Sequence, residues 1–111
     1  MKAGQMRHRI TIQNFTTIEL PSGEEKEVWF DAATVWAEVK AISGRELLTS
    51  GAEMSEITLR IWLRYRADVG SASRILWQQR GQRQLAYSIV SAIPDPKASR
   101  LELLCKGGVT P

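Results

Sequence analysis

The sequence predicts a single mainly β domain: a small antiparallel β-barrel of about six or seven strands, with one short helix in a central connection. Three observations carry this expectation. Apolar and polar residues alternate along several runs, the period of a half-buried strand. Turn-forming residues recur roughly every eight to twelve positions, the spacing of small sandwiches and barrels. A chain of 111 residues that is 43% hydrophobic supplies one core and no second domain.

The elements follow in order. Residues 7–15 are β-branched and alternating, with Ile10 and Ile12 on one face, and predict a strand. Residues 20–26 form a turn whose backbone is set by Pro21 and Gly23. A second strand is expected from Glu27 to about Phe30. A third is expected from Thr34 to Ile42, with Val35, Ala37, Val39 and Ala41 on one face and Trp36, Glu38 and Lys40 on the other. Ser43-Gly44-Arg45-Glu46 has the spacing of a capping box, in which the Ser43 hydroxyl accepts the Glu46 N–H and the Glu46 carboxylate reaches back. Leu47 and Leu48 continue the helix, and Gly51 cuts it short. Residues 49–56 are small and polar and predict a mobile connection.

The clearest strand is 57–66. Ile57, Leu59, Ile61, Leu63 and Tyr65 share one face; Thr58, Arg60, Trp62, Arg64 and Arg66 share the other. Residues 68–72 predict a turn, and a strand follows over 73–79. Gln79-Arg80-Gly81-Gln82 predicts a hairpin turn with Gly81 at positive φ. The return strand runs from Gln84 to Ile93, and Pro94 and Pro96, which have no N–H to donate, end it. Arg100 to Lys106 is the last strand, with Leu101, Leu103 and Cys105 on one face. Residues 107–111 read as a loose tail.

The residues that chemistry needs are scarce. His8 is the single histidine and lies between Arg7 and Arg9, with no nucleophile or carboxylate placed to partner it. Cys105 sits in an apolar strand and predicts a buried, inert thiol. One Cys rules out an internal disulfide, which suits a reducing cytoplasm, and one Cys with one His makes no zinc set. Glu24, Glu25 and Glu27 flank a turn with Lys26 among them, and lack calcium-loop spacing. Gly107-Gly108 is too short for a phosphate loop and precedes no helix. The expectation is therefore no catalytic residue, no cofactor and no metal. No run is apolar enough to span a bilayer as a helix, and the first residues show no apolar leader, so neither membrane insertion nor secretion is expected.

Charge is uneven. Residues 1–56 carry six Lys/Arg and nine Asp/Glu, a balance of −3; residues 57–111 carry nine and three, a balance of +6. Such halves suit head-to-tail packing of identical subunits, or a basic surface near nucleic acid. Arg60, Arg64 and Arg66 with Trp62 between them mark a candidate interface or DNA-facing strip. As a small-barrel nucleic-acid-binding module, the chain would track phosphates with the arginines and stack a base on Trp62. As an assembly part, it would use the same face for a neighbouring strand or subunit, with Arg stems covering apolar area and Trp62 as anchor. The second reading is favoured, because nucleic-acid binders concentrate more positive charge. A sequence-blind contact with genomic DNA needs only Lys or Arg near its path.

With these residues in place the chain resembles the phage head–tail joining family, the stopper or head-closure proteins of long-tailed phages, over about residues 5–106. The resemblance lies in order and spacing: Met6 to Gln13, Val35-Trp36-Ala37-Glu38-Val39, Ser43 to Glu46 leading into a helix, Arg64-Tyr65-Arg66 closing a strand, and Leu101 to Lys106 at the end. One departure is that Gly81 lies further from Tyr87-Ser88-Ile89 than in the family's Gly-x-x-Tyr-x-Ile. The resemblance implies a barrel subunit of a homo-oligomeric ring, twelve or six copies, below the portal. Such a ring closes the DNA-filled head and offers the tail its attachment surface, without enzymatic activity. The implied partners are the portal or connector protein and a tail-terminator or tail-tube protein. The implied location is the host cytoplasm during assembly and the head–tail interface of the virion afterwards. On this view Ser43, Arg45, Glu46, Leu47 and Leu48 form a candidate docking segment that orders against a partner.

Overall fold

A computed structural model describes residues 6–42 and 57–111 of the chain. Six strands account for the described fold: β1 (His8–Glu19), β2 (Glu25–Ala41), β3 (Ile57–Arg64), β4 (Arg74–Gln78), β5 (Gln84–Pro94) and β6 (Arg100–Val109). Every neighbouring pair is antiparallel. The order β1-β2-β3-β6-β5-β4 returns from β4 to β1, so the ring-like sheet is closed as a barrel. Closure removes the free edges that an open sheet of this size would expose.

Alternation places the core as the sequence predicts. Ile10 and Ile12 from β1, Ala37 from β2, Ile61 and Leu63 from β3, Ile75 from β4 and Leu103 and Cys105 from β6 are almost wholly buried. Val35 and Val39 pack at its margin. Each large aliphatic side chain removed from water in this way contributes about 1.5–3 kcal/mol. One residue outside the strands joins them. Val69, in the connection from β3 to β4, is buried in the core cluster at the barrel's end. Asn14 holds that connection down by donating to the Asp68 carbonyl at 3.1 Å and accepting from the Ser73 hydroxyl. Gly70 N–H donates to Ser73 Oγ at 3.2 Å.

Three expectations need revision, and a fourth lies outside the described residues. The two strands expected over 27–30 and 34–42 are one 17-residue strand, β2. Asp31-Ala32-Ala33 breaks the alternation, but the ladder passes through it. Ile12 pairs with Ala33 and Gln13 with Asp31, leaving Ala32 as the extra residue of a β-bulge. The first strand does not stop at Phe15; it continues to Glu19. The tail expected from 107 is ordered strand as far as Val109, because Gly107 pairs with Tyr87 and Val109 with Ala86. The helix expected at Ser43 to Leu48 falls outside the described residues; among those described there is no helix.

The bulge marks a change of architecture. β1 pairs with β4 only over residues 10–13, and β2 pairs with β3 only over residues 38–41. Beyond the bulge, among the described residues, 14–19 and 25–31 are paired only with each other. They form a two-stranded arm about 20 Å long at strand rise, and the molecule measures 49 × 33 × 29 Å. Its tip is tight: Gly23 N–H donates to the Leu20 carbonyl at 2.9 Å and Leu20 N–H to the Glu24 carbonyl at 2.8 Å. The Gly23 φ of +87° suits a residue without Cβ.

Candidate functional site

The outer face of β3 carries three of the four residues of the Arg–Trp strip. Trp62 lies opposite Glu102 on β6 and Glu38 on β2. Its indole N–H donates to Glu102 Oε2 at 3.1 Å. The Arg60 guanidinium stands 5.8 Å from the Trp62 ring centroid, and its Nε is 3.9 Å from the same carboxylate oxygen, beyond hydrogen-bond reach. One row along the strand, Arg64 lies opposite Arg100. The strip is thus interrupted by carboxylates on both sides of Trp62, and the polar edge of the indole is already engaged. A continuous phosphate track with a free stacking ring is not what this face presents.

Arg66 stands apart from that strip, because β3 ends at Arg64. It grips Asp68 in a fork, with Nε to Oδ1 at 3.0 Å and Nη2 to Oδ2 at 3.0 Å. This hydrogen-bonded pair holds the Asp68 carboxyl below its usual range and the Arg66 guanidinium above its own. Arg66 instead joins Arg64 in lining a groove of about 750 Å³, together with Met6, Thr34, Val35, Trp36 and Tyr65. The Trp36 ring is 51% exposed there, and Arg9 stacks over it at 5.0 Å.

The arm is the second apolar surface. Phe15, Ile18, Trp29 and Phe30 are each 41–46% exposed, although they belong to residue types that usually lie inside. Directly paired residues share a face, which sorts the arm into two. Phe15 and Trp29 meet edge to face at 5.6 Å on the face that also carries Glu19, Glu25, Glu27 and Asp31. Ile18, Val28 and Phe30 lie on the other. The root is braced from β4: Arg74 lies over Trp29 at 4.3 Å and donates to Gln13 Oε1 at 2.7 Å, and Gln13 donates to Asp31 Oδ1 at 2.7 Å.

The four tryptophans therefore divide. Trp77 is in the core, Trp62 is half-buried, and Trp29 and Trp36 project. The sequence shows that four are many for one core; only the structure shows which are left outside. Nothing in the sequence marks the arm, because its aromatics sit in a strand pattern that looks like any other core-facing strand. Among the described residues, His8 is exposed and Cys105 is buried. His8 lies edge-on to Trp77 at 5.6 Å. Burial pushes the Cys105 thiol up to about 12. Among the described residues no three of His, Cys, Asp and Glu come together as a metal set. The expected docking segment, Ser43 to Leu48, lies outside the described residues.

The family model for phage head completion protein matches residues 1–108. Head completion protein gp7 of Enterobacteria phage HK97 is 38% identical over 109 residues, covering 97% of each chain. The solution structure of a Shigella flexneri 2a protein superimposes with a TM-score of 0.83 at 38% identity, covering all of both chains. A chain in the virion of a native gene transfer agent particle shares the fold, with a TM-score of 0.55 at 22% identity over 95% of this chain and 96% of that one.

Proposed function

The chain belongs to the phage head completion protein family, and on that premise we propose that it is the head–tail connector piece that closes the filled head. In this reading copies form a ring of twelve or six under the portal, retain the packaged DNA, and give a tail-terminator or tail-tube protein its seat. The protein is a structural virion component; assembly would begin in the host cytoplasm and end at the head–tail interface. It would perform no catalysis.

The observation that carries this reading is the pair of projecting aromatic surfaces on a closed barrel: the arm with Trp29 and Phe30, and the groove with Trp36 and Tyr65. A closed barrel needs no further strand to complete its sheet, so these surfaces fit partners better than they fit folding. The alternative of a nucleic-acid-binding module draws less support, since Trp62 is bonded to Glu102 and flanked by Glu38. Contact with DNA passing through the ring would be non-specific.

The test is a particle made without the protein. The expected result is heads that package DNA but lose it and remain tailless, with restoration when the chain is supplied. Density for the chain at the junction of head and tail would accompany restoration. Sealed, tailed particles in its absence would overturn the reading.

A further inference from the structure

The arm and the groove are complementary in character and cannot meet within one chain. Residues 14–31 hold Glu19, Glu24, Glu25, Glu27 and Asp31 against Lys26, a balance of −4. The groove is lined by Arg64 and Arg66 and has Arg9 over Trp36, with Asp68 already gripped by Arg66. On the face that carries Glu19, Glu25, Glu27 and Asp31 the arm offers projecting Phe15 and Trp29, and the groove offers exposed Trp36 and Tyr65. Both belong to one strand: β2 carries the arm at Glu25 and the groove at Val35 and Trp36. At strand rise these points lie about 30 Å apart along β2, and the Arg74–Gln13–Asp31 brace holds the arm's root in line.

We propose that the acidic aromatic arm of one copy lies in the arginine-lined groove of the next. A knob and a hole on different parts of one chain make a heterologous contact, which repeats head to tail and closes when the rotation allows. The inference rests on the ring reading above and specifies the surface that builds the ring. It also gives the unequal charge a location: the negative charge is concentrated on the arm, and the neighbour presents arginines to it. Desolvated aromatic anchors supply the affinity, and the charge pairing fixes register and direction.

The test is disulfide cross-linking in particles carrying Thr17→Cys, on the acidic face of the arm beside Glu27, together with Tyr65→Cys. Cys105 is buried and takes no part. The expected result on oxidation is a ladder of dimers, trimers and larger species of this chain, with each single variant remaining monomeric. Incorporated double variant that stays monomeric, or a link from position 17 to a different virion protein, overturns the arm-in-groove contact and leaves the connector reading standing. Absence of the wild-type chain from particles overturns both.

Phe15→Ser and Arg64→Ala provide a second readout, since both side chains are exposed in the isolated subunit. Each should melt like the wild type and be incorporated about tenfold less. Undiminished incorporation of both overturns the contact.

Discussion

Trp62 and Glu102 face each other across the β3–β6 ladder, and the indole N–H donates to the carboxylate at 3.1 Å. This pairing turns the Arg–Trp strip from an open stacking platform into a cross-strand clasp. Net gains for such bonds are about 1 kcal/mol on a half-exposed surface. Trp62→Phe, which keeps the ring and removes the donor, should lower unfolding free energy by about 1 kcal/mol. A urea-denaturation cycle with Glu102→Ala should show the two losses to be non-additive, because either change removes the same bond. Additive losses would show that the bond carries no coupling.

The closing residues make a second prediction. Gly108 has a φ of +109°, and a Cβ added there would meet Tyr87 Cε2 at 3.2 Å. Gly108→Ala should therefore destabilise by about 1–2 kcal/mol through the backbone conformation alone, with the ring displaced in addition. Removal of residues 107–111 should also lower Tm, since it strips the partners of Tyr87 and Ala86. A truncated chain that melts like the full one would contradict this account of β6.

Asp95 organises the turn between β5 and β6. It accepts from the Ser99 hydroxyl at 2.5 Å, the Ser99 N–H at 2.6 Å and the Arg100 N–H at 3.3 Å. These bonds, that of the Ser99 hydroxyl first, hold its carboxyl below the ordinary value of 3.8. A depressed folded value means that the stabilisation is complete above the unfolded value and is lost as pH falls through the folded one. Asp95→Asn should therefore melt lower than the wild type near neutral pH, with the gap closing at acid pH. A gap that stays constant across the titration would refute the assignment.

Cys105 should be silent toward thiol reagents while the barrel is intact. With its thiol pushed up to about 12 by burial, the thiolate fraction at about pH 8 is about one in ten thousand. Labelling should be negligible in buffer and fast in denaturant. Rapid labelling of the native protein would mean that the β5–β6 wall opens readily.

The sequence made the strands legible where one face is buried and the other is not. The alternation of Leu59, Ile61 and Leu63 and of Leu101, Leu103 and Cys105 is enough, because these faces enter the core cluster, whereas Tyr65 falls past the end of β3 and is exposed. The arm was hidden by the same rule: Phe15, Ile18, Trp29 and Phe30 look like core residues, and alternation does not say that their strands have outrun the barrel. The bulge at Ala32 was hidden because an extra residue resembles a break when it is seen without its partner strand. Gly107 and Gly108 looked like a tail because glycine carries no pattern, although the pairing of Tyr87 with Gly107 uses backbone alone. Arg60, Trp62 and Arg64 share the outer face of β3 as alternation predicts, whereas Arg66 falls past the strand's end; the carboxylates that interrupt the strip come from β2 and β6, and those neighbours are set by topology.

The seam between β1 and β4 also bears on how the chain comes to be folded. It joins Ile10, near the start, to residues as late as Trp77. The hairpins β1–β2 and β4–β5 are local and can form early. The cylinder cannot shut until β6 has emerged from the ribosome and been laid between β3 and β5. Such distant pairings belong to topologies that fold in milliseconds to seconds rather than microseconds. Through that interval the nascent chain would expose its aromatic hairpin before it had a finished subunit to offer a neighbour, so synthesis would have to outpace encounter between incomplete copies.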